Sequence, residues 1–116
     1  MTTNEITVLV ANYVAAWSEP DPASRQRLLE IVWDDKGTYT DPMSSATGRS
    51  ELDALIAHFL GASPGAKFIV NGKIDRHHSH VRFYWRLRLA TGLEMDGMDY
   101  GELSPAGKLV KIVGFF

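Results

Sequence analysis

The feature that most constrains this chain is an aspartate on the apolar face of a predicted strand, the segment from Leu93 to Leu103. Alternate side chains of a strand point to opposite faces. One face of this segment carries acidic residues with Met98 and Tyr100, and is expected to meet water. The other face carries Leu, Met and Gly residues together with Asp99. A carboxylate in such surroundings must be paired, stay neutral or take part in chemistry, so Asp99 is the first candidate site residue.

The preceding segment, from His80 to Leu89, fixes the register of this strand. Pairing Leu89 with Leu93 across a turn at 90–92 places two opposite-charge pairs on one face and the aromatic side chains on the other. The four predicted pairs are Arg88–Glu94, Arg86–Asp96, Trp85–Gly97 and Phe83–Asp99. A slip by one residue would mix the two faces. The pattern therefore predicts that Asp99 lies beside Phe83 on the side of the sheet that helices cover.

Three helices are predicted in the first half of the chain. The segment Thr2–Glu5 has the form of a capping box and precedes apolar residues at helical spacing, which predicts a helix from about Asn4 to Trp17. The pair Asp21-Pro22 is typical of a helix start, and this second helix is expected to end at about Trp33. The third helix is expected to begin near Arg49 and to end in the Gly- and Pro-containing run at 61–65.

The remaining segments predict turns and strands. We expect a turn at 34–37, a short extended piece at 38–41 and a loop at 43–48, followed by strands at 67–75, 80–89, 93–103 and 109–116. Helices followed by an antiparallel meander are typical of an α+β fold in which the helices pack on one face of the sheet. The length predicts one domain, residues 1–116.

Composition argues against several classes of protein. A net charge of −2 is not that of a nucleic-acid-binding protein. No run of apolar residues approaches the roughly 18 needed to span a membrane, and the start of the sequence lacks the pattern of a secretory signal. The absence of cysteine leaves neither disulfides nor thiolate metal ligands. We expect a cytoplasmic protein without a metal or organic cofactor.

Three polar side chains are expected to point inward, Tyr13, Asp41 and Asp99, and their surroundings resemble a known family. The matching segments are Tyr13–Trp17, Tyr39–Pro42, Thr47–Arg49, Asp99-Tyr100 and Gly107–Val110. They resemble the nuclear-transport-factor-2-like (NTF2-like) superfamily, and within it the SnoaL-like polyketide cyclases and the Δ5-3-ketosteroid isomerases. The resemblance covers nearly the whole chain. It implies a cone-shaped α+β fold, with three N-terminal helices on a curved, mainly antiparallel sheet that encloses a deep pocket.

The resemblance to the steroid isomerases also implies a role for each of the three residues. Asp41, which precedes a proline, matches the general base. Tyr13 and Asp99 match the two donors of the oxyanion hole, and Asp99 is expected to be protonated at neutral pH. The isomerases place further tyrosines in the pocket, whereas the corresponding positions here are Trp33 and Ile56. This difference predicts a weaker hydrogen-bond network around Tyr13.

Structural roles remain open for the same three residues. Asp41 can cap the loop after its strand, Tyr13 can be a core tyrosine whose hydroxyl bonds to the backbone, and Asp99 can make a buried structural hydrogen bond. Further side chains are predicted to form the pocket wall: Trp17, Trp33, Met43, Ile56, Phe59, Phe83, Trp85, Met95 and Phe115.

The sequence thus predicts a protein that binds a small hydrophobic molecule with a carbonyl or enol oxygen, with isomerase- or cyclase-type proton transfer as the leading activity. A non-catalytic binding module with the same pocket is the alternative. A third interpretation is an interaction protein that uses the outer sheet face. That face is expected to carry Tyr84, Met98, Tyr100 and Ile112, and we expect it to form a homodimer.

Overall fold

The computed structural model describes residues 1–116 and contains three helices and six strands. The helices are α1 (Thr3–Ala16), α2 (Pro22–Val32) and α3 (Gly48–Ala62). The strands are β1 (Trp33–Thr40), β2 (Ser45–Thr47), β3 (Lys67–His77), β4 (His80–Arg88), β5 (Glu94–Leu103) and β6 (Leu109–Phe115). The six strands form one sheet in the order β2-β1-β6-β5-β4-β3. The pair β1–β6 is parallel and the other pairs are antiparallel. The predicted α+β fold, three helices on a curved and mainly antiparallel sheet, is confirmed.

The register predicted for β4 and β5 is also confirmed. The four predicted pairs all occur: Arg88–Glu94, Arg86–Asp96, Trp85–Gly97 and Phe83–Asp99. The charged pairs form salt bridges of 2.8 Å on the outer face. Asp99 lies on the inner face and is 6% exposed.

The predicted helix starts have their predicted caps. Thr2 and Glu5 form both hydrogen bonds of the capping box at the start of α1. At the start of α2 the Asp21 carboxylate accepts a hydrogen bond of 3.0 Å from the backbone N–H of Ser24, and Pro22 occupies the first turn.

The segment from 33 to 37 was predicted wrongly as a helix end and a turn. Trp33 is the first residue of β1, and it pairs in parallel with Leu109 of β6. The register then shifts before Thr38, so the polar residues and Gly37 form an irregularity inside a strand. A Cβ atom on Gly37 would lie 2.6 Å from the Trp33 indole. The residues that were expected to form a turn therefore form a bulge, and Gly37 leaves room for the Trp33 indole to lie against its own strand.

Part of the predicted loop at 43–48 is also a strand. β2 is an antiparallel neighbour of β1, with Ser45 opposite Thr40 and Thr47 opposite Thr38. This edge strand has only three residues, which is too short for side-chain alternation to show in the sequence.

The core lies between the helices and the inner face of the sheet. Its centre is an aromatic group in which Tyr13 stacks on Trp33 at a centroid distance of 5.8 Å and forms a T-shaped contact with Phe83 at 6.3 Å. These three side chains are at most 1% exposed. No helix is both long and apolar enough to cross a membrane.

A buried ion pair joins α2 to α3. Arg25, which is 3% exposed, bonds through Nε to the Asp53 carboxylate and through its Nη1 atom to the Glu19 carbonyl oxygen at 2.9 Å. An arginine at this depth needs such partners, because a buried charge without a counter-ion is costly.

Replacing Arg25 is expected to destabilise the fold. Arg25→Ala should lower the free energy of unfolding by about 2–4 kcal/mol, because the partly buried Asp53 carboxylate then loses its cationic partner and keeps only the hydrogen bond from Gln26. Urea unfolding followed by circular dichroism measures this. Arg88→Ala, which breaks an exposed pair on the sheet, is the control and should change stability little. Equal losses for both variants would contradict the importance given to the buried pair.

Candidate functional site

A cavity opens between the helices and the inner face of the sheet. It encloses about 570 Å³, counted with its mouth. Met95 and Phe116, which are about half exposed, lie at the mouth, and the buried Tyr13 and Asp99 form the base. Its wall is largely apolar and contains two carboxyl groups but no Lys, Arg or His. The lining residues are Tyr13, Val14, Trp17, Tyr39, Asp41, Phe59, Phe68, Trp85, Leu87, Met95, Asp99 and Phe116.

The structure brings the three candidate site residues to this one cavity. Tyr13 comes from α1, Asp41 follows the end of β1, and Asp99 comes from the middle of β5. Four of the predicted wall residues line the cavity with them: Trp17, Phe59, Trp85 and Met95.

The other five predicted wall residues lie elsewhere. Three of them, Trp33, Ile56 and Phe83, are fully buried in the core behind the wall, because apolar side chains on the inner side of the fold outnumber the places around the cavity. Met43 is 83% exposed in the loop after Asp41. Phe115 lies on the outer face of β6, opposite Met98.

Five lining residues were not predicted: Val14, Tyr39, Phe68, Leu87 and Phe116. Alternation could have identified Phe116, since Ile112 and Gly114 of β6 pair with inward-facing residues of β5 and the next residue of that parity is 116. Leu87 likewise shares the inner face of β4 with Trp85. Phe68 could not be placed, because which part of β3 covers the cavity depends on the irregularity between Val70 and Ile74.

Asp41 is held at the edge of the cavity by two hydrogen bonds. Tyr39 donates its hydroxyl proton to Oδ2 at 2.6 Å, and the backbone N–H of Met43 donates to Oδ1 at 2.8 Å. The Asp41 backbone N–H also donates to the Ser44 carbonyl oxygen at 3.0 Å. The carboxylate therefore closes the loop, as the structural interpretation expected, and lines the cavity as well.

Asp99 is buried and has one hydrogen-bond partner within the protein. Trp85 Nε1 donates to its Oδ1 atom at 3.1 Å. Burial raises the pKa of Asp99 to about 7, with a smaller contribution from the negative charge of Asp41, while the bond from Trp85 acts in the opposite direction. The protonated form predicted for Asp99 therefore predominates below pH 7.

Tyr13 is supported by a side chain of its own helix. Trp17, the C-cap residue of α1 and one helical turn beyond Tyr13, donates its indole N–H to the Tyr13 hydroxyl oxygen at 3.1 Å. Burial is the main cause that raises the pKa of Tyr13 well above its ordinary value, and the nearby Asp99 adds to it. Tyr13 therefore remains a neutral hydroxyl donor.

Gly114 lies beside both carboxyl groups and the hydroxyl of Tyr39. A Cβ atom at this position would lie 3.0 Å from Asp99 Oδ1, 3.4 Å from Asp41 Cβ and 3.7 Å from the Tyr39 hydroxyl. Only glycine leaves this space free, so β6 can pass behind two carboxyl groups without pushing them apart.

The arrangement combines one carboxylate that is fixed by hydrogen bonds with two neutral O–H groups at the base of an apolar cavity. Such a set can move a proton at carbon and can stabilise negative charge on a nearby oxygen. No group of three or more His, Asp or Glu side chains is placed to hold a metal ion.

The buried Asp99 should give stability a distinctive pH dependence. Its pKa is about 7 in the folded protein, against an ordinary value of 3.8, so the unfolded chain releases the proton first as pH rises. The free energy of unfolding should therefore fall by on the order of 4 kcal/mol between pH 4 and pH 7 because of Asp99, and Asp99 should cause no further fall above that range. Urea titrations across this range should show this decline in the wild type and not in Asp99→Asn. Parallel curves for the two proteins would contradict the raised pKa.

The sequence matches no protein-family model and no curated protein, whereas solved structures show clear similarity. One is a SnoaL-like family protein from Agrobacterium tumefaciens strain C58 that is named as a candidate isomerase. It is 30% identical, with 97% of each chain covered and a TM-score of 0.91. A candidate SnoaL-like polyketide cyclase from Jannaschia sp. CCS1 shares the fold at 14% identity, with 94% of this chain and 85% of that one covered and a TM-score of 0.71.

A third structure with this fold comes from Catenulispora acidiphila. It is described as having a ketosteroid isomerase-like fold, in complex with trimethylamine. It is 16% identical, with 100% of this chain and 87% of that one covered and a TM-score of 0.71. The fold is therefore NTF2-like, and on its identity to the Agrobacterium protein over nearly the whole length the chain belongs to the SnoaL-like family.

Proposed function

We propose that this protein binds a small hydrophobic molecule with a carbonyl or enol oxygen, and that it catalyses proton transfer of the isomerase or cyclase type. The observation that carries the proposal is the convergence of Tyr13, Asp41 and Asp99 on one apolar cavity. A carboxylate base and two neutral donors are the groups needed to form an enolate and to stabilise it.

Asp41 is the base in this scheme. Its carboxylate removes a proton from the carbon next to the carbonyl group, and the electron pair of that C–H bond moves toward the carbonyl oxygen. Asp41, now protonated, returns the proton to a second carbon, which completes an isomerisation. Alternatively, the enolate carbon attacks a second carbonyl carbon of the same molecule, which closes a ring and moves the π electrons of that carbonyl onto its oxygen. The alkoxide so formed then takes the proton back from Asp41. In both reactions the base recovers its charge, so no oxidant, reductant or cofactor is consumed.

Tyr13 and neutral Asp99 stabilise the oxygen on which charge develops. Both side chains are buried, and hydrogen bonds to a developing anion are stronger where water is excluded. The aromatic residues of the wall, among them Trp17, Phe59 and Phe68, exclude water and offer flat apolar surfaces to a planar substrate.

Tyr13 has a hydrogen-bond partner although Trp33 and Ile56 stand where the steroid isomerases have tyrosines. Trp33 stacks on its ring but makes no hydrogen bond, and Ile56 lies in the core. The hydroxyl of Tyr39 bonds to Asp41. The hydrogen bond to the Tyr13 hydroxyl comes instead from Trp17. The network differs from that of the steroid isomerases, but each of the three proposed site residues has a partner.

A non-catalytic binding module is the second candidate function. The observation in its favour is that Asp41 already satisfies a structural need, since it accepts one bond from Tyr39 and one from the loop backbone. A carboxylate with these bonds can remain in place without ever acting as a base.

Substituting the proposed base separates the two functions. Asp41→Asn should reduce turnover of Δ5-ketosteroids or of polyketide-type diketones by about 10²–10⁴-fold, since the amide cannot accept the proton. Asp99→Ala should lower turnover as well, since one donor to the oxygen is lost. Product formation in a screen of these compounds measures the effect.

Asp96→Asn is the matched control, because it makes the same change of side chain at a residue outside the cavity. Asp96 lies on β5 like Asp99, but on the outer face, where it pairs with Arg86. It should leave turnover unchanged. Turnover that persists in both Asp41→Asn and Asp99→Ala would overturn the catalytic proposal. Ligand binding without turnover in the wild type would favour the binding module.

We also propose that the outer sheet face forms a homodimer. Tyr84, Met98 and Phe115 lie side by side across β4, β5 and β6. Tyr84 and Phe115 are about half exposed. Ile112, which was predicted for this face, is wrong there: it is fully buried on the inner face, because it pairs with the inward-facing Gly101. Phe115 takes its place, and salt bridges beside this apolar row neutralise the neighbouring charges.

A charge introduced into this row should abolish the dimer. Sedimentation velocity of the wild type is expected to give the mass of two chains, and Met98→Lys that of one chain, because dimerisation would bury the charge of the lysine in the middle of the apolar row. Arg88→Ala, at the edge of the same face, is the control and should remain dimeric. A wild type that sediments as a monomer at micromolar concentration would contradict the proposal.

A further inference from the structure

Each of the two proposed hydrogen-bond donors, Tyr13 and Asp99, accepts a hydrogen bond from a tryptophan. Trp17 donates its indole N–H to Tyr13, and Trp85 donates its indole N–H to Asp99, each over 3.1 Å. An indole has one N–H and no acceptor atom. The direction of both hydrogen bonds is therefore fixed: the Tyr13 and Asp99 oxygens accept, and their own protons lie elsewhere.

Neither proton has an acceptor within the protein. The Tyr13 hydroxyl has no hydrogen-bond partner other than Trp17. In Asp99 the Oδ1 atom is occupied by Trp85, and Oδ2 has no partner. Trp33 Nε1 is the only buried side-chain polar atom in the protein that lacks a partner. Asp99 Oδ2 has no partner and is not among such atoms, so it is not fully buried, and it is reached from the cavity that Asp99 lines. Since Oδ1 accepts from Trp85, Oδ2 is the oxygen that carries the proton of the neutral form.

We propose that Trp17 and Trp85 are positioning residues, which occupy the acceptor side of Tyr13 and Asp99 and so leave both O–H groups to donate into the cavity. The inference rests on the proposed function, in which these O–H groups bind the substrate oxygen. It gives Trp17 the role that further tyrosines have beside the oxyanion tyrosine in the isomerases that the sequence resembles, and it gives Trp85 a corresponding role beside Asp99.

The packing around the two indoles fits this role. The ring of Trp85 lies directly over Gly97, where a Cβ atom would come within 2.1 Å of it. Phe68 forms T-shaped contacts with both indoles, at centroid distances of 5.9 Å from Trp17 and 5.3 Å from Trp85. One aromatic side chain therefore packs against both indoles that carry the N–H groups.

The hydrogen bonds also change the acidity of the donors. An N–H group stabilises the ionised form of its acceptor, so each indole lowers the pKa of its partner while burial raises it. A donor whose acidity is increased gives a stronger hydrogen bond to an oxygen that gains negative charge.

Trp85→Phe tests the inference without any need for turnover. In an NMR titration of the Asp99 carboxyl carbon, its midpoint should rise by about one pH unit or more, because a hydrogen bond to the carboxylate is lost. If Trp85 only fills space, its loss admits water and the midpoint falls or stays. Asp41, Tyr13 and Tyr39 are the titratable neighbours, and they are unchanged in this variant. A midpoint that does not rise overturns the assignment for Trp85.

Trp33→Phe is the matched control, because it removes a buried indole N–H that bonds to nothing. It should leave the midpoint of Asp99 in place, and an equal rise would overturn the inference. For Trp17 the test is the NMR signal of its indole proton. Tyr13→Phe should move that signal upfield, whereas Tyr39→Phe, which alters another ring beside Trp17 at 5.3 Å, should not. Equal shifts would contradict the Trp17–Tyr13 bond.

Where turnover is found, the pH–rate profile gives a further measurement. Trp85→Phe should lower kcat and move the loss of activity at high pH to a higher pH, since Asp99 then keeps its proton longer. If Trp85→Phe is active and loses activity at the same high pH as the wild type, the role of Trp85 is contradicted. Absence of turnover in every protein would count against the proposed function alone, because both NMR experiments are independent of it.

Discussion

The cavity depends on one physical constraint, the burial of the Asp99 carboxyl group on the inner face of the sheet. An ionised carboxylate is costly in such a place, and the protein has no cationic side chain there to offset it. It supplies a single N–H from Trp85 and leaves the second oxygen open to the cavity. The result is a carboxyl group whose pKa is raised by burial to about 7. In its neutral form the O–H on the second oxygen can donate a hydrogen bond to a ligand.

The backbone around Asp99 is shaped by two glycines. Gly97, two residues earlier on the same face, gives the Trp85 ring a place to lie flat against β5, and Gly114 lets β6 pass behind the carboxyl groups. Any side chain at either position would displace an indole or a carboxylate. The sheet therefore provides the electrostatic properties of the site by omitting side chains as much as by supplying them, and this explains why the inner face of β5 carries glycines beside its one acid.

Much of this could be predicted from the sequence, for reasons that are local. The register of β4 against β5 followed from charge pairs and alternation, and it placed Asp99 on the correct face beside Phe83. The capping box and the Asp-Pro pair gave two helix starts. The position of Trp33 did not follow from its neighbours, since the end of α2 is set by the parallel pairing of β1 with β6, which involves residues more than 70 positions away. Pocket wall and core could not be separated either, because Trp85 and Phe83 share one strand face and differ only in what the helices cover.

The two carboxyl groups place opposite requirements on one cavity. The proposed reaction needs Asp41 ionised and Asp99 protonated, and the charge of the first favours the proton on the second. Tyr39 donates a hydrogen bond to Asp41 and Trp85 donates one to Asp99, so each carboxyl group has its own donor. Because the pKa of Asp99 is about 7, the arrangement is complete on the acid side of neutrality and loses its second donor above it. The hydrogen bond from Trp85 lowers the pKa of Asp99 and therefore also lowers the pH at which Asp99 loses its proton. The site thus has a more acidic donor and a narrower pH range in which that donor is present.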